Sequence, residues 1–524
     1  MNRRQLAQVS LVAILTLLLT KLLSILQTTS QATSSTFPQS DAMLQLKQPV
    51  IVVGSGLAGL SAAYTALQAG ASVRMLDRGV KPGGNSIKAS SGINGANTRF
   101  QAAHGIPSDT KFFADSVRSA GKRYAEPGSG TDGLPVDRQG LIQLLTDSSS
   151  DAVEWLADEI GVDMSAVAPL GGHSVPRTHR GVGKLPPGAA IVTGLLAKMK
   201  ENPGFQLINS AEVTLITTET PTGRVTGVEY THNGVPQSLI GPVVFAAGGF
   251  AGDSHGLLAR YRPDLEGFPA TAEERPGAQD LLTAVGAELV DMDSVQIHPT
   301  GFVDPAQEYS RSKFLAAEVL RGEGGILLDA YGQRFVNELD LRQVVSDAIM
   351  KNPPSQRNGI KQWEAWILLD PGASKASAGH LGFYLWKGLM QKKKVKDLAL
   401  SFQQTLKEYS AIVAGDKKDP LGRTSFGHWS LKPDQDNIED AEVFIGKITP
   451  VVHFTMGGVA FDTSSRVLRR EASGRLAPIP GLFAAGEITG GIHGDNRLGG
   501  SSLLECVVYG RIAGTSAVEE LVGY

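Results

Sequence analysis

The apolar positions of this chain first form a clear pattern at residues 50–53, a Val-Ile-Val-Val run typical of a β-strand. Glycines follow it directly. An alanine-rich helical pattern then runs from Leu60 to Ala69, and a second strand pattern runs from Ser72 to Leu76. Strand, glycine-rich turn, helix and strand in this order predict the first βαβ unit of a parallel sheet.

The turn after the first strand has the spacing Gly-x-Gly-x-x-Gly. Gly54 allows the tight turn, Gly56 lets a pyrophosphate approach the backbone, and Gly59 lets the helix pack on the strand. Asp77 lies 23 residues beyond Gly54, where an acid would bind a ribose hydroxyl. The sequence therefore predicts a dinucleotide site, with an incidental glycine turn as the alternative.

Two later strand patterns also end in small residues. They lie at residues 242–250 and 481–487. Because the carboxyl ends of parallel strands meet at one edge, three such ends predict one sheet with a cofactor over that edge. Between them, strand patterns at residues 206–208, 212–217 and 225–230 predict a β-meander.

The segment 82–95 is small and glycine-punctuated, and it suits neither a helix nor a strand. It is interpreted as a backbone wall against a flat ligand, or else as a surface loop. Residues 107–203 have helical periodicity, with His173, Arg177 and His179 in a glycine-rich connection. The two histidines are either functional or engaged in structural contacts.

Residues 1–45 differ from the rest of the chain. Arg3 and Arg4 precede a mainly apolar run, residues 9–26, which is interrupted by Lys21, and a Ser/Thr/Gln linker follows. This pattern is typical of a signal peptide or signal anchor, and it also fits a mitochondrial presequence. We expect a possible N-terminal membrane anchor and targeting to the mitochondrion or the endoplasmic reticulum, with an ordinary core helix as the alternative.

The composition limits the kinds of cofactor and partner that the protein can use. The 524 residues can hold two or three domains, and the net charge of −3 gives no sign of nucleic-acid binding. Cys506 is the only cysteine, which excludes an intrachain disulfide, a c-type haem motif and a thiolate-held iron–sulfur cluster. No metal site is predicted, so electrons must travel on an organic cofactor or come from a partner.

Histidine, arginine and glutamate cluster among glycines in the later part of the chain. Taken singly, each would be structural; together, beside a flavin-sized site, they suggest a clamp for a dicarboxylate, because planar Arg forks match carboxylates. Glu318 and Arg321 are three residues apart and can face the same way. The set comprises His298, Glu318, Arg321, Arg342, His453 and Arg497.

From Gln48 to its end, the chain resembles the soluble, eukaryotic-type fumarate reductases. They belong to the flavoprotein superfamily of the succinate dehydrogenase flavoprotein subunit and L-aspartate oxidase. The gap of 24 residues from Glu318 to Arg342 matches the soluble reductases. The matching stretches are GNSIKASSGINGA, GGHSVPRTHR, QIHPTGF, FLAAEVLRGEGGILL, GQRFVNEL, HFTMGGVAF and LFAAGEITGGIHGDNRLGGSSLLEC.

The resemblance implies an α/β fold with two domains. A Rossmann-like FAD-binding domain has a doubly wound parallel sheet plus a β-meander, and an α+β capping domain is inserted into it. A site split between two domains can close and exclude water. The expected divisions are residues 1–45 for targeting and linker, 46–294 and 454–524 for the FAD-binding domain, and 295–453 for the cap.

The resemblance also implies a reaction. Reduced flavin would give a hydride from N5 to one alkene carbon of fumarate, yielding succinate. Arg342 would protonate the other carbon, and Glu318 and Arg321 would return a proton to it. The residues that would grip the substrate are His298, His453, Arg497 and Thr455.

The implied cofactor is FAD, bound non-covalently because Asn85 stands where complex-bound relatives carry a flavin-linked histidine. The family's Thr-Gly-Asp-Gly turn is replaced here by residues 274–280, in which Asp280 is the acid available for the same contact. The residues that would bind FAD are Gly54, Gly56, Ala58, Gly59, Asp77, Asn85, Ser86, Ser91, Gly92, Ala247, Gly248, Glu487, Ser502 and Leu503.

The sequence thus predicts an FAD-dependent fumarate reductase whose ligands are fumarate and succinate. The alternatives are a reductase of another 2-enoate, an L-aspartate oxidase, and a catalytically silent flavin-binding protein. The electron donor stays open between free reduced flavin, an NADH-linked reductase and a quinol-linked partner.

Overall fold

A six-stranded sheet, here called the main sheet, organises the part of the chain that the computed structural model describes, residues 48–125, 136–183 and 185–523. All neighbouring strands are parallel except the first two. In order across the sheet, the strands are Arg466–Arg470, Leu476–Ala484, Val243–Phe245, Val50–Val53, Val73–Leu76 and Phe205–Ile208. The three strand ends with small residues therefore lie side by side, as the sequence predicted.

The prediction that residues 206–208 begin the meander was wrong. Phe205–Ile208 pairs in parallel with Val73–Leu76, because it follows a helix and returns to the main sheet. The meander consists of Ala211–Glu219, Arg224–His232 and Val235–Ile240. Its last strand was not predicted, since nearly all of its residues are exposed and its sequence, VPQSLI, does not alternate between apolar and polar positions.

Two helices cover one face of the main sheet and pack closely on each other: Leu57–Gln68 and the C-terminal Ser501–Val522. Glycine makes this contact possible. A Cβ at Gly510 would lie 2.5 Å from the carbonyl oxygen of Ala58, and one at Gly514 would lie 2.4 Å from that of Ala62. Only residues without a side chain let the two backbones approach so closely.

A second sheet is antiparallel and has its own buried apolar core. Its strands are Val295–Phe302, Glu442–Thr455, Ala365–Leu369, Ile326–Leu328 and Gln391–Lys394. Val295 pairs with Thr455, so both predicted boundaries of the cap lie at one end of the same strand pair. The division of the chain into domains stays a prediction.

The remaining elements connect and cover these sheets. The other helices are Arg99–Ala103, Phe112–Ala120, Arg138–Asp147, Ser149–Asp158, Pro187–Lys200, Leu257–Tyr261, Gln279–Thr283, Val319–Gly322, Arg342–Met350, Pro371–Ala376, Ala378–Trp386 and Leu400–Ala414. Small sheets are formed by Ile93–Asn94, Ala166–Ala168 and Thr178–Arg180, by Leu289–Val290 with Gly458–Val459, and by Ser355–Arg357 with Ile360–Gln362.

The predicted targeting segment, residues 1–45, lies outside the described residues. Among the residues that are described, no helix is both long and apolar enough to cross a bilayer. The targeting prediction is therefore untested.

Candidate active site

The glycine turn has the geometry that its spacing predicted. Gly54 has a φ of 105°, and a Cβ there would lie 2.3 Å from the carbonyl oxygen of Ala246. A Cβ at Gly59 would lie 2.0 Å from the carbonyl oxygen of Gly54. At Gly56 the nearest atom would be Ser86 Oγ, 3.5 Å away, which leaves the backbone open to a ligand. The turn therefore fits a pyrophosphate.

Asp77 follows the second strand and is tied to the same turn. Its carboxylate accepts hydrogen bonds from the backbone N–H of Ser55, at 2.8 Å, and from the Ser55 hydroxyl. It also accepts from Gly79 N, at 2.6 Å. Asp77 thus holds the turn in place while it lines the cavity described next.

One continuous cavity of about 1910 Å³ runs along this edge of the main sheet. It joins the glycine turn to Arg342, His453 and Arg497, which also line it. Of the predicted cofactor residues, only Gly59 is not on the wall, consistent with its packing role. Those that line the cavity are Gly54, Gly56, Ala58, Asp77, Asn85, Ser86, Ser91, Gly92, Ala247, Gly248, Glu487, Ser502 and Leu503.

Arg342 and Glu318 form a buried ion pair next to the cavity. Arg342 Nε donates to Glu318 Oε2 at 2.6 Å, and Nη2 lies 2.5 Å from the same oxygen. Gly171 N donates to the other carboxylate oxygen at 2.8 Å. Arg321 Nη2 is 3.8 Å from that oxygen, and Arg321 is fully buried.

The protonation state of Glu318 follows from these neighbours. Burial alone would raise its pKa, but the charges of Arg342 and Arg321 outweigh burial and hold the pKa at about 2. Burial and the charge of Arg342 lower the pKa of Arg321, which Glu318 partly offsets. Glu318 is therefore a carboxylate between two guanidinium groups at neutral pH.

His298 and His453 lie beside this pair, with ring centroids 5.2 Å apart. Burial, followed by the charge of Arg342, lowers the pKa of both histidines well below the usual value of 6.5. Both imidazoles are therefore neutral at pH 7. His453 Nδ1 is 3.0 Å from the Thr271 hydroxyl, which also lines the cavity.

The tautomer of His298 is fixed by its backbone. Thr300 N can only donate, and it donates to His298 Nδ1 at 3.2 Å. The single proton of the neutral ring must then be on Nε2, an atom that is buried and has no hydrogen-bond partner in the described part of the chain. His298 Nε2–H is thus a donor without an acceptor, which fits a carboxylate ligand.

Arg497 completes the cluster. Burial and the nearby charge of Arg342 lower its pKa to about 9. Its Nη2 donates to Gln296 Oε1 at 3.1 Å, and Arg342 Nη1 donates to the same oxygen at 2.7 Å. Gln296 therefore bridges the two arginines. Sequence reasoning did not single it out, although it is the first residue of the QIHPTGF motif.

Thr455 was predicted to bind substrate, but it is not on the cavity wall. Its backbone N–H and its hydroxyl both donate to Glu487 Oε1, at 2.9 and 3.2 Å. Burial raises the pKa of Glu487 to about 7. Thr455 therefore holds a cavity-lining carboxyl group in place. His298, Glu318 and Arg321 also lie just behind the wall.

His173, Arg177 and His179 make structural contacts and do not line the cavity. Arg177 pairs with Asp109 and Asp115, at 2.7 and 2.8 Å. His173 Nε2 contacts the carbonyl oxygen of Gly499, and His179 Nε2 contacts the Thr98 hydroxyl. In the altered turn, Asp280 does line the cavity, and it is 3.4 Å from Arg260 Nη1.

The parallel sheet carries a dinucleotide turn, and a cavity leads from that turn to buried His and Arg side chains. Together these features define a flavoprotein oxidoreductase. The family profile described as FAD binding domain matches residues 49–503. FAD is accordingly the cofactor, and the glycine turn and the residues that line the cavity fit it.

Relatives narrow the class further. The chain is 40% identical over 487 residues to fumarate reductase of Schizosaccharomyces pombe, covering 89% of this chain and 88% of the relative. It is 40% identical over 495 residues to fumarate reductase 1 of Saccharomyces cerevisiae, covering 90% and 99%. The open conformation of a flavocytochrome c3 fumarate reductase superposes with a TM-score of 0.67 at 29% identity, covering 92% of this chain and 80% of that chain. The protein belongs to the FAD-dependent fumarate reductase family.

Proposed function

We propose that this protein reduces fumarate to succinate and that the buried clamp beside its FAD cavity recognises the two carboxylates. The observation that carries the proposal is the continuous cavity, which joins the dinucleotide turn to Arg342 and Arg497. Gln296 bridges these two guanidinium groups. Buried cations with unused donors require an anionic ligand, and a planar dicarboxylate offers one carboxylate to each side of the clamp.

The glycine turn, Asp77 and the wall that includes Asn85 and Glu487 would hold FAD. The chemistry that reduced FAD would supply there is hydride transfer to one alkene carbon. Side chains of the protein are proposed to bind the substrate carboxylates and to supply the proton. His298 binds one substrate carboxylate through Nε2–H. The imidazole of His453 and the guanidinium of Arg497, which line the cavity, also bind the substrate carboxylates.

Arg342 is proposed as the proton donor to the second alkene carbon. Glu318 accepts a hydrogen bond from Arg342 Nε, so it is the group through which a proton can return. Arg321 lies on the far side of Glu318 and supplies that proton. An arginine is a weak acid in water, so the placement of Arg342 beside the substrate carbon matters more than its acidity. Hydride and proton together saturate the double bond.

The proposal is tested with purified, FAD-loaded protein under anaerobic conditions. A reduced viologen dye should be oxidised on addition of fumarate, with two electrons consumed per succinate formed. A faster reaction with another 2-enoate would favour the second candidate substrate class. Bound flavin without any reaction would favour the silent flavin-binding protein, and dye reduction by L-aspartate would favour the oxidase.

We expect the FAD to be released by acid. Asn85, and not a histidine, follows Gly83 and Gly84 on the cavity wall, so a covalent link to the flavin has no nucleophile at this position. Precipitation with trichloroacetic acid should leave the protein pellet colourless and the supernatant yellow. Flavin fluorescence of the pellet after gel electrophoresis is the measurement that would contradict this.

The cap is proposed to comprise residues 295–453 and to close over the substrate. Val295 pairs with Thr455, so the cap begins and ends at one two-stranded connection, which would act as its hinge. Proteolysis with and without succinate tests it. Protection of bonds near these strands by the ligand is expected, and identical digestion patterns would argue against closure.

Targeting and electron supply are proposed from the sequence alone. Residues 1–45 would direct the protein to a mitochondrial or endoplasmic reticulum membrane. A fusion of these residues to a fluorescent protein, fractionated against markers of both compartments, tests this. The donor is free reduced flavin, an NADH-linked reductase or a quinol-linked partner, and fumarate-dependent oxidation of each by the purified protein distinguishes them.

A further inference from the structure

Among the described residues, Arg497 is a buried cation that forms no hydrogen bond with a carboxylate. It is 2% exposed, and its hydrogen bonds go to the amide oxygen of Gln296 and to the carbonyl oxygen of Leu498. Its Nε is buried without a partner in the described part of the chain. A guanidinium in such surroundings needs another source of electrostatic stabilisation.

The face of the Phe454 ring provides that stabilisation. Arg497 Cζ lies 4.3 Å from the ring centroid, within the range of a cation–π contact. Both side chains are almost completely buried, which makes such a contact stronger than at a surface. The negative face of the ring takes the place of an acidic partner, and it leaves the carboxylate-binding edge of Arg497 free.

The ring itself is held from another side. His493 packs against Phe454 with centroids 5.9 Å apart and an interplanar angle of 73°. His493 Nε2 in turn lies 2.6 Å from Glu505 Oε2, in a pair that is also buried. Phe454 is therefore fixed between the guanidinium group and a histidine that a carboxylate anchors.

We propose that Phe454 is a positioning residue for the substrate clamp: its ring face orients Arg497 and keeps this buried arginine charged. The inference rests on the proposed function, in which Arg497 binds a substrate carboxylate. Phe454 lines the cavity beside Arg497. It acts through Arg497, so its loss should weaken substrate binding far more than turnover.

Other charges also bear on Arg497, so the contribution of the ring must be separated from theirs. Arg342 opposes the positive charge of Arg497, whereas Glu505, Glu487 and Glu318 favour it. The neutral rings of His298 and His453 and the buried thiol of Cys506 complete the ionisable surroundings. Replacing the ring leaves all of these groups in place.

Phe454→Leu removes the ring, Phe454→Tyr keeps it, and Phe444→Leu is a matched control in the same strand. We expect Phe454→Leu to raise KM for fumarate about ten-fold or more, with kcat changed less than about three-fold. The rise of KM at alkaline pH should begin at a lower pH, because Arg497 then loses its charge more easily. Phe454→Tyr and Phe444→Leu should resemble the wild type. The Kd of succinate, measured from the flavin absorption spectrum, should follow KM.

If the wild type reduces fumarate, three results would still overturn the inference. They are an unchanged KM in Phe454→Leu, a Phe454→Tyr variant as impaired as Phe454→Leu, and a rise of KM that begins at the same alkaline pH in Phe454→Leu as in the wild type. If Phe454→Leu does not retain FAD, Phe454→Met fills the same space without a ring and is measured in its place. A wild-type protein that binds succinate but does not reduce fumarate contradicts the proposed function alone, and the succinate Kd still tests Phe454.

Discussion

Arg342→Ala should lower kcat for fumarate reduction by about 10²–10⁴-fold while FAD stays bound, the range expected for loss of a general acid. Arg342 is on the cavity wall, is held by Glu318, and shares Gln296 with Arg497. Arg180 on the same wall also donates to a buried carboxylate, that of Glu323, but it is Arg342 that is joined through Gln296 to Arg497 of the substrate clamp. Steady-state oxidation of reduced dye by fumarate gives kcat and KM.

Measuring the two half-reactions separately distinguishes loss of the proton donor from a general disruption of the flavin site. Reduction of the bound flavin by dye should be unaffected in Arg342→Ala, whereas oxidation of the reduced flavin by fumarate should be slow. Arg342→Lys keeps a cation but loses the planar fork, and we expect it to remain far below the wild type. Turnover within about ten-fold of the wild type in Arg342→Ala would remove Arg342 from the role of principal proton donor.

The main sheet could be predicted because its signals are local. Three of its strands are short apolar runs that end in small residues, and the glycine spacing after Val53 predicts the turn that follows. The assignment of Phe205–Ile208 failed because a short strand pattern does not specify its partner. The preceding helix returns the chain to the parallel sheet, and that depends on packing along the whole βα segment.

The sequence could predict which residues form the site, but not the contacts that orient their side chains. His298, Glu318, Arg342, His453 and Arg497 come together as the resemblance implied. The groups that orient them are common residue types whose partners lie far away in the chain. Gln296 meets Arg497 across 201 positions, and Thr271 meets His453 across 182. Phe454 is similarly inconspicuous in sequence.

Thr455 lies in a different position from its neighbour His453. His453 is on the cavity wall, Thr455 is not, and the substrate-binding role expected of Thr455 stays a prediction. The strand turns the Thr455 hydroxyl towards Glu487 instead. The contact helps to hold a carboxyl group whose pKa is about 7 as a result of burial, which no pattern of residue types reveals.

Glu318→Gln should have the second large effect, on both turnover and stability. It keeps the shape of the side chain but removes the negative charge between Arg321 and Arg342. We expect kcat to fall by about 10²-fold or more, because a neutral amide cannot return a proton to Arg342. Leaving buried guanidinium groups without their counter-charge should also lower the free energy of unfolding by about 3–5 kcal/mol. Glu318→Asp keeps the charge and is the matched control.

The pH dependence of stability gives an independent test of the same pair. The pKa of Glu318 is about 2 in the folded protein, against an ordinary value of 4.5. Its stabilising contribution is therefore complete above about pH 4.5 and is lost as the pH falls towards 2. Glu318→Gln lacks this contribution at every pH, so the difference in unfolding free energy from the wild type should be largest at neutral pH and shrink below pH 4.5. Urea unfolding across this range measures it, and a difference that stays constant would mean that Glu318 is not charged against the arginines as its contacts require.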